Sequence, residues 1–173
     1  NIYGASLVDT EFYTNCKQIL CTGGLLYPLQ TPGWKLAGDI TLSRDALAAE
    51  HVLNEAKNLV LMNMHIGALA LLSVDDLSKI KEYNVRLYYL VKEYLLSDSC
   101  REMNGRAASF LWAMLPALYL GERELFHNNE TIVKADLESL KKGMLTISDN
   151  GNQVTMPDYI TNVDEFFIRM HKG

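Results

Sequence analysis

Cysteine is scarce in this sequence. The 173 residues contain three cysteines, Cys16, Cys21 and Cys100, and none of them are arranged with the C-x-x-C spacing of common zinc sites. An odd number of cysteines without such spacing does not build a disulfide framework and is typical of free thiols in a reducing compartment. We therefore expect free thiols and favour an intracellular protein.

A surplus of positive charge is also lacking. The chain has 16 basic and 21 acidic side chains, which gives a net charge of −5. This balance excludes a protein whose whole surface holds nucleic acid or an anionic membrane, although it permits one basic face. The longest apolar stretch, residues 59–72, is interrupted by polar residues and is shorter than the roughly 20 residues that a membrane helix needs. We expect no membrane span.

Familiar catalytic and cofactor motifs are missing as well. The sequence has no G-x-S-x-G elbow, phosphate-binding loop, dinucleotide fingerprint or H-E-x-x-H pair. His51 and Glu55 have the i, i+4 spacing of two ligands on one helix, but such a pair on a solvated face is more typical of surface than of a metal site. Cys100 would need a histidine such as His127 beside it to act as a nucleophile. The sequence therefore predicts no catalytic residue, no metal and no cofactor, and it favours a protein that is not an enzyme.

Helical periodicity dominates what is present. An amphipathic pattern opens at Ser43 and runs into the stretch 59–72, which we predict to be a central core helix because a helix apolar on all sides must be surrounded by protein. The resulting fold prediction is a single domain over residues 1–173, a mostly α bundle of about five to seven helices around this central helix. Five other helices are predicted. The first follows Asp9, the second covers 77–95 after a capping box at Ser73, and the third covers 107–120 with a kink at Pro116. The fourth covers 130–142, and the last begins at Asn162.

One β element is predicted. The segment 144–156 has apolar residues and threonines on both sides of Asn150-Gly151, the residue pair that suits a type I′ turn. A two-residue loop would place Ile147 opposite Val154, so that apolar side chains meet across the strands. We therefore predict one small β-hairpin over 144–156.

Two polar residues, Asn63 and His65, lie inside the apolar stretch 59–72. A buried amide or imidazole needs a hydrogen-bond partner, which either a structural network or a ligand pocket provides. Because positions two apart on a helix do not share a face, we expect the two side chains to serve different neighbours. A satisfied core histidine is the favoured interpretation of His65, and a pocket is the alternative.

The segment 79–106 is rich in basic residues and tyrosines. Basic side chains bind phosphates and tyrosines stack on bases, but acidic residues are interspersed, so a solvated helix face is favoured over a nucleic-acid interface. The basic residues that such an interface would use are Lys79, Lys81, Arg86, Arg101 and Arg106.

The absence of a catalytic signature favours an interaction module. We expect a regulatory or accessory protein without catalytic activity that binds another protein or itself through a helix groove or apolar patch. Two alternatives stay open. One is a nucleoprotein-like domain that binds nucleic acid through residues 79–106, and the other is an enzyme or small-ligand-binding domain with a pocket near His65.

Overall fold

The computed structural model describes residues 1–31, 34–104 and 108–172, in which short helices alternate with strands. The helices are α1 (Ile2–Val8), α2 (Phe12–Asn15), α3 (Ile40–Ser43), α4 (Ala46–Glu55), α5 (Met64–Gly67), α6 (Leu77–Tyr83), α7 (Val85–Leu96), α8 (Asp98–Asn104), α9 (Leu115–Gly121), α10 (Leu137–Leu140) and α11 (Val163–Lys172). The strands are β1 (Ile19–Thr22), β2 (Leu29–Thr31), β3 (Trp34–Leu36), β4 (Leu59–Met62), β5 (Leu71–Ser73), β6 (Ala108–Phe110), β7 (Phe126–His127), β8 (Glu130–Lys134), β9 (Thr146–Ile147), β10 (Asn152–Thr155) and β11 (Tyr159–Ile160).

A five-stranded mixed sheet with the strand order β1-β4-β10-β8-β9 forms the centre of the fold. β1 and β4 are parallel, with Ile19 opposite Leu59 and Thr22 opposite Met62, and β10 pairs in parallel with the other side of β4. β8 is antiparallel to both β10 and β9. Parallel strands need a crossover connection, and α3 and α4 lie in the crossover from β1 to β4. The architecture is therefore α/β.

Helices cover both faces of the sheet. On one face, Leu53 of α4 belongs to the same buried cluster as Leu61 of β4. On the other face, Val60 of β4 packs with Tyr119 of α9 and Phe166 of α11. All four residues of β4 are only 1% exposed, because a central parallel strand is buried on both sides.

The prediction of a mostly α bundle around a helix at 59–72 is wrong. Residues 59–62 form β4, α5 follows directly after Asn63, and residues 71–73 form β5. α4 ends at Glu55 and does not continue into the apolar stretch. A short apolar run has no periodicity that separates a buried strand from a buried helix. Here a strand, a short helix and a second strand follow one another closely and together resemble one long helix.

The predicted hairpin over 144–156 is also wrong. β9 and β10 do not pair with each other because β8 lies between them, so that Val133 is opposite both Ile147 and Asn152. Gly151 does not have the positive φ that a type I′ turn requires. Its backbone instead passes so close to β8 that an added Cβ would collide with the carbonyl oxygen of Val133. The glycine is there for close approach, not for a turn.

Some predicted helix ends are confirmed. Ser73 and Asp76 form the capping box, and the Asn162 side chain accepts a hydrogen bond from the backbone N–H of Glu165 at the start of α11. The helix predicted over 77–95 is divided at Asn84, whose side chain caps α7.

Other predicted helices are partly strands. The helix after Asp9 ends at Asn15 and is followed by β1, and the segments 107–120 and 130–142 contain β6 and β8 before their helices, with residue 107 outside the described residues. Pro116 lies in the first turn of α9, where its missing N–H costs nothing, and it does not kink a longer helix. Within the described ranges, no helix is long and apolar enough to cross a membrane.

Candidate ligand site at the carboxyl ends of the parallel strands

The carboxyl ends of β1 and β4 lie side by side, and the loops that follow them are hydrogen bonded to each other. The backbone N–H of Gly23 donates to the carbonyl of Met62 at 3.0 Å, and that of Met64 donates to the carbonyl of Gly24 at 2.9 Å. In open α/β sheets, ligands bind in the crevice beyond the carboxyl ends of the strands. This end of the sheet is therefore the candidate site.

Asp39 anchors the loop that follows β1. Its side chain is 2% exposed, and Oδ2 accepts hydrogen bonds of 2.9 Å from the backbone N–H groups of Gly24 and Leu42. Gly24 has a φ of 83°, which favours glycine. Sequence analysis missed Asp39, although an aspartate directly before the apolar residues of α3 is a typical helix N-cap.

Asn63 anchors the loop that follows β4. It is 3% exposed, and its Oδ1 accepts hydrogen bonds from the backbone N–H groups of His65 at 2.9 Å and Ile66 at 3.2 Å. These bonds satisfy the buried amide oxygen and start α5. Asn63 therefore holds the backbone from which the His65 side chain projects.

The His65 imidazole contributes the most distinctive polar group of this region. The ring is half-buried, and Nε2 accepts a hydrogen bond of 3.1 Å from the backbone N–H of Leu26. Burial lowers the pKa of His65, which favours the neutral ring at neutral pH. A neutral imidazole that accepts at Nε2 carries its proton on Nδ1. Nδ1 is itself buried and has no hydrogen-bond partner among the described residues.

Aromatic side chains lie over this imidazole and against α5. The ring of Tyr27 lies over it, with centroids 4.1 Å apart, and Tyr27 is 60% exposed. Behind α5, the side chain of Trp112 lies 3.5 Å from the position of a Cβ added to Gly67, and Trp112 stacks on Phe110 with centroids 5.0 Å apart. The region thus combines an aromatic ring that is largely exposed, a stacked aromatic pair beside α5 and a buried imidazole N–H.

A separate apolar cleft of about 350 Å³ runs along the outer side of β1. Burial raises the pKa of the Cys21 thiol, on this strand, to about 11, so the thiol stays protonated at neutral pH. Thr22 connects the cleft to the carboxyl end of β1, but His65 does not line it. The residues that line it include Tyr3, Leu20, Cys21, Thr22, Thr41 and Val52.

The remaining histidine and cysteine candidates do not meet. The Cys100 side chain is fully buried and its thiol donates to the carbonyl of Ala108 at 3.4 Å. His127 is on an exposed surface, where Nδ1 lies 2.8 Å from a carboxylate oxygen of Asp158 and the ring stacks on Tyr159.

The His51 ring, from the predicted pair His51 and Glu55, packs among side chains of α1 and α2. The ring of His51 packs against Tyr3 and Tyr13, with centroids 4.7 and 5.8 Å apart, and its Nε2 lies 3.4 Å from the Ser6 hydroxyl. In the part of the chain that the structure describes, no group of three or more histidine, cysteine, aspartate or glutamate side chains could hold a metal ion.

The basic residues proposed for nucleic-acid binding are spread over α6, α7 and α8. Lys79, Lys81, Arg86 and Arg101 are exposed, and Arg106 lies outside the described residues. Arg101 is 3.7 Å from Asp98, which offsets its charge, and Lys81 lies 5.5 Å from the ring centre of Tyr88. Their use by nucleic acid stays a prediction.

Comparison with solved structures identifies the fold. An inosine-uridine preferring nucleoside hydrolase from Bacillus anthracis superimposes with a TM-score of 0.70 and 17% identity, covering 99% of this chain and 56% of the hydrolase. The chain has the nucleoside hydrolase fold. A plant nucleoside hydrolase matches with a TM-score of 0.75 and 15% identity, covering 99% of this chain and 57% of the plant enzyme. The chain therefore spans a little over half the length of either hydrolase. No protein-family model matches the sequence, and no curated protein sequence resembles it significantly.

This likeness corrects the functional expectation drawn from the sequence. A helical interaction module without catalytic activity is contradicted, because the domain is α/β and the proteins that share its fold are enzymes. The preference for a protein that is not an enzyme is overturned by the same finding. It depended on the absence of familiar motifs, and such an absence does not exclude an enzyme.

Proposed function

We propose that this chain forms one wall of the ligand site of a nucleoside hydrolase-type enzyme, with the nucleoside bound beyond the carboxyl ends of β1 and β4. The observation that carries the proposal is the buried Nδ1 donor of His65, which lies at the end of the sheet where α/β enzymes bind their ligands. The shared fold supports a nucleoside as the ligand class.

The chemistry of a nucleoside suits this region. A nucleobase offers a flat aromatic face, which stacks favourably on an exposed tyrosine ring such as Tyr27. Ribose hydroxyls and base carbonyls offer acceptors for the Nδ1–H of His65. Tyr27 lies over the imidazole in the free protein, so its ring moves from His65 to the base when the nucleoside enters.

The roles of the other residues follow from their hydrogen bonds. Asp39 and Asn63 bind no ligand in this proposal, because their carboxylate and amide oxygens already accept backbone N–H groups. They hold the two loops at a fixed distance, so that little conformational entropy is lost on binding.

Hydrolysis of a nucleoside adds water across the bond between the sugar and the base. The water oxygen bonds to the sugar carbon, the carbon–nitrogen bond breaks, and the base leaves with a proton. His65 orients the nucleoside as a neutral donor and gives up no proton, because loss of the Nδ1 proton would leave an anionic ring. We assign activation of the water to the part of the fold that this chain does not span.

Binding of inosine and uridine to the 173-residue chain, followed by NMR, tests the proposal. We expect saturable binding with a Kd on the order of 1 mM, since one wall alone forms few contacts. His65→Ala removes one hydrogen bond to the nucleoside and should weaken binding about 5- to 100-fold.

The matched control is His127→Ala, which removes a histidine from an exposed surface and should leave the Kd unchanged. Absence of saturable binding at tens of millimolar nucleoside, or equal weakening by the two variants, would sink the proposal.

A further inference from the structure

Helix α7 has one face packed on the core and one face turned to solvent. On the packed face, Leu95 is fully buried and lies in the same apolar cluster as Leu87 and Val91. On the opposite face, Tyr89 is 65% exposed and Leu90 is 70% exposed. Large apolar side chains that lie side by side on an outward helix face are typical of a surface that packs against more protein.

Two opposite charges lie on this same outward face. Arg86 and Glu93 are seven residues apart, which is close to two helical turns, so both project on the side of Tyr89 and Leu90. Both are exposed, and neither forms an ion pair with another of the described residues. Arg86 comes three residues before Tyr89, and Glu93 comes three residues after Leu90. The cation and the anion therefore flank the two apolar side chains at equal distances along the helix.

This spacing makes the outward face complementary to itself in one orientation. In an antiparallel pair of α7 helices with a two-fold axis between Tyr89 and Leu90, each tyrosine meets the other tyrosine and each leucine the other leucine. Arg86 then lies level with Glu93 of the second copy, because both are about 5 Å along the helix from the axis. A parallel pair would instead place arginine against arginine and glutamate against glutamate. The charges thus favour the antiparallel pair and oppose the parallel one.

We propose that this chain forms a two-fold symmetric dimer in which α7 packs antiparallel against α7 of a second copy. Tyr89 and Leu90 form the apolar centre of the contact, and Arg86 of each copy binds Glu93 of the other. One helix from each copy buries less than the roughly 800 Å² per partner of a standard interface, so the dimer is weak, with a Kd on the order of 10–100 µM. The inference goes beyond nucleoside binding and does not depend on it, because His65 lies on a different helix, α5.

Sedimentation equilibrium of the 173-residue chain at increasing concentration tests this dimer. The average mass should rise from 19.5 kDa toward twice that value. Arg86→Glu places a carboxylate opposite Glu93 at both ends of the contact and should raise the dimer Kd on the order of 10- to 100-fold, and Glu93→Arg should raise it similarly by opposing two cations. A chain that stays monomeric at about 1 mM would leave this face to a different protein and overturn the proposal.

Mixing the two charge-reversed variants tests the antiparallel contact itself. A chain with Arg86→Glu is acidic at both positions and a chain with Glu93→Arg is basic at both, so each variant repels itself and attracts the other. An equimolar mixture should therefore dimerise at least as tightly as the unsubstituted chain, with one copy of each variant in the dimer. Single variants that dimerise as well as the unsubstituted chain, or a mixture that stays monomeric, would overturn the proposal.

Arg44→Glu is the matched control, because it reverses an exposed charge at the end of α3 and should leave the Kd unchanged. Equal weakening by this variant would assign the effect to net charge and overturn the proposal. If a charge-reversed variant does not fold, dilution of the ¹⁵N-labelled unsubstituted chain decides the question. The amide signals of Tyr89 and Leu90 should then shift with concentration, and concentration-dependent shifts confined to other elements would place the contact on a different face and contradict the α7 pair.

Discussion

At the scale of single residues, one hydrogen bond of His65 opposes protonation of its ring. Its Nε2 holds the backbone of Leu26, and protonation would replace that acceptor with a second donor. Burial acts in the same direction, because it disfavours the charged ring. The hydrogen bond from Leu26, in the loop that carries Tyr27, therefore favours the neutral state of the His65 ring.

The pH dependence of stability follows from this neutral state. The pKa of His65 in the folded protein is below its ordinary value of 6.5, so the unfolded chain binds the proton more tightly. The neutral His65 ring therefore contributes to the free energy of unfolding at neutral pH, and this contribution is lost as the pH falls below about 6.5. Urea unfolding at pH 7 and pH 5 should show a smaller loss of free energy of unfolding for His65→Gln than for the unsubstituted chain. His127→Gln serves as the control; an identical loss in all three proteins would refute this role of His65.

The sequence shows that Asn63 and His65 are polar residues in an apolar stretch, and this much of the candidate site can be predicted. It does not show where they point, because the prediction of one continuous helix hid the end of β4 that lies just before them. Asp39 could not be linked to the site either. Its partners Gly24 and Leu42 come near it only through the turn of the chain after β1.

At the scale of elements, short strands pair with partners that are not their nearest neighbours in sequence. β8 lies between β9 and β10, although β9 and β10 are closer in sequence and have the residues of a hairpin. The apolar pattern correctly predicted that 144–156 contains strands. It could not predict their partner, because pairing with β8 satisfies the same alternation of side chains.

The close passage of Gly151 over β8 gives a direct test of this arrangement. Gly151→Ala should lower the free energy of unfolding by about 1–3 kcal/mol, because its Cβ collides with the carbonyl of Val133. Gly121→Ala, in α9 with no atom within 4 Å of the added Cβ, should raise it by about 0.5–1 kcal/mol. Denaturant unfolding measures both changes. A neutral or stabilising Gly151→Ala would contradict the close passage of Gly151 over β8.

Burial on both faces of the mixed central sheet organises the molecule as a whole. α4 covers one face and α9 and α11 cover the other, and the loops that carry Asp39, Asn63 and His65 gather at one end. The helical character of several segments was predictable from periodicity. The α/β class was not, because β4 has only four residues and its neighbours β1 and β10 become evident only when they pair.

The measurement that tests the central claim most directly is a titration of the ¹⁵N-labelled chain with inosine, followed by the positions of its backbone amide signals. We predict that the amide signals of Leu26, His65 and Ile66 shift along one common saturation curve, since these groups surround the proposed site. Shifts confined to α6 and α7, or no saturable shifts, would contradict a nucleoside site at the carboxyl ends of β1 and β4.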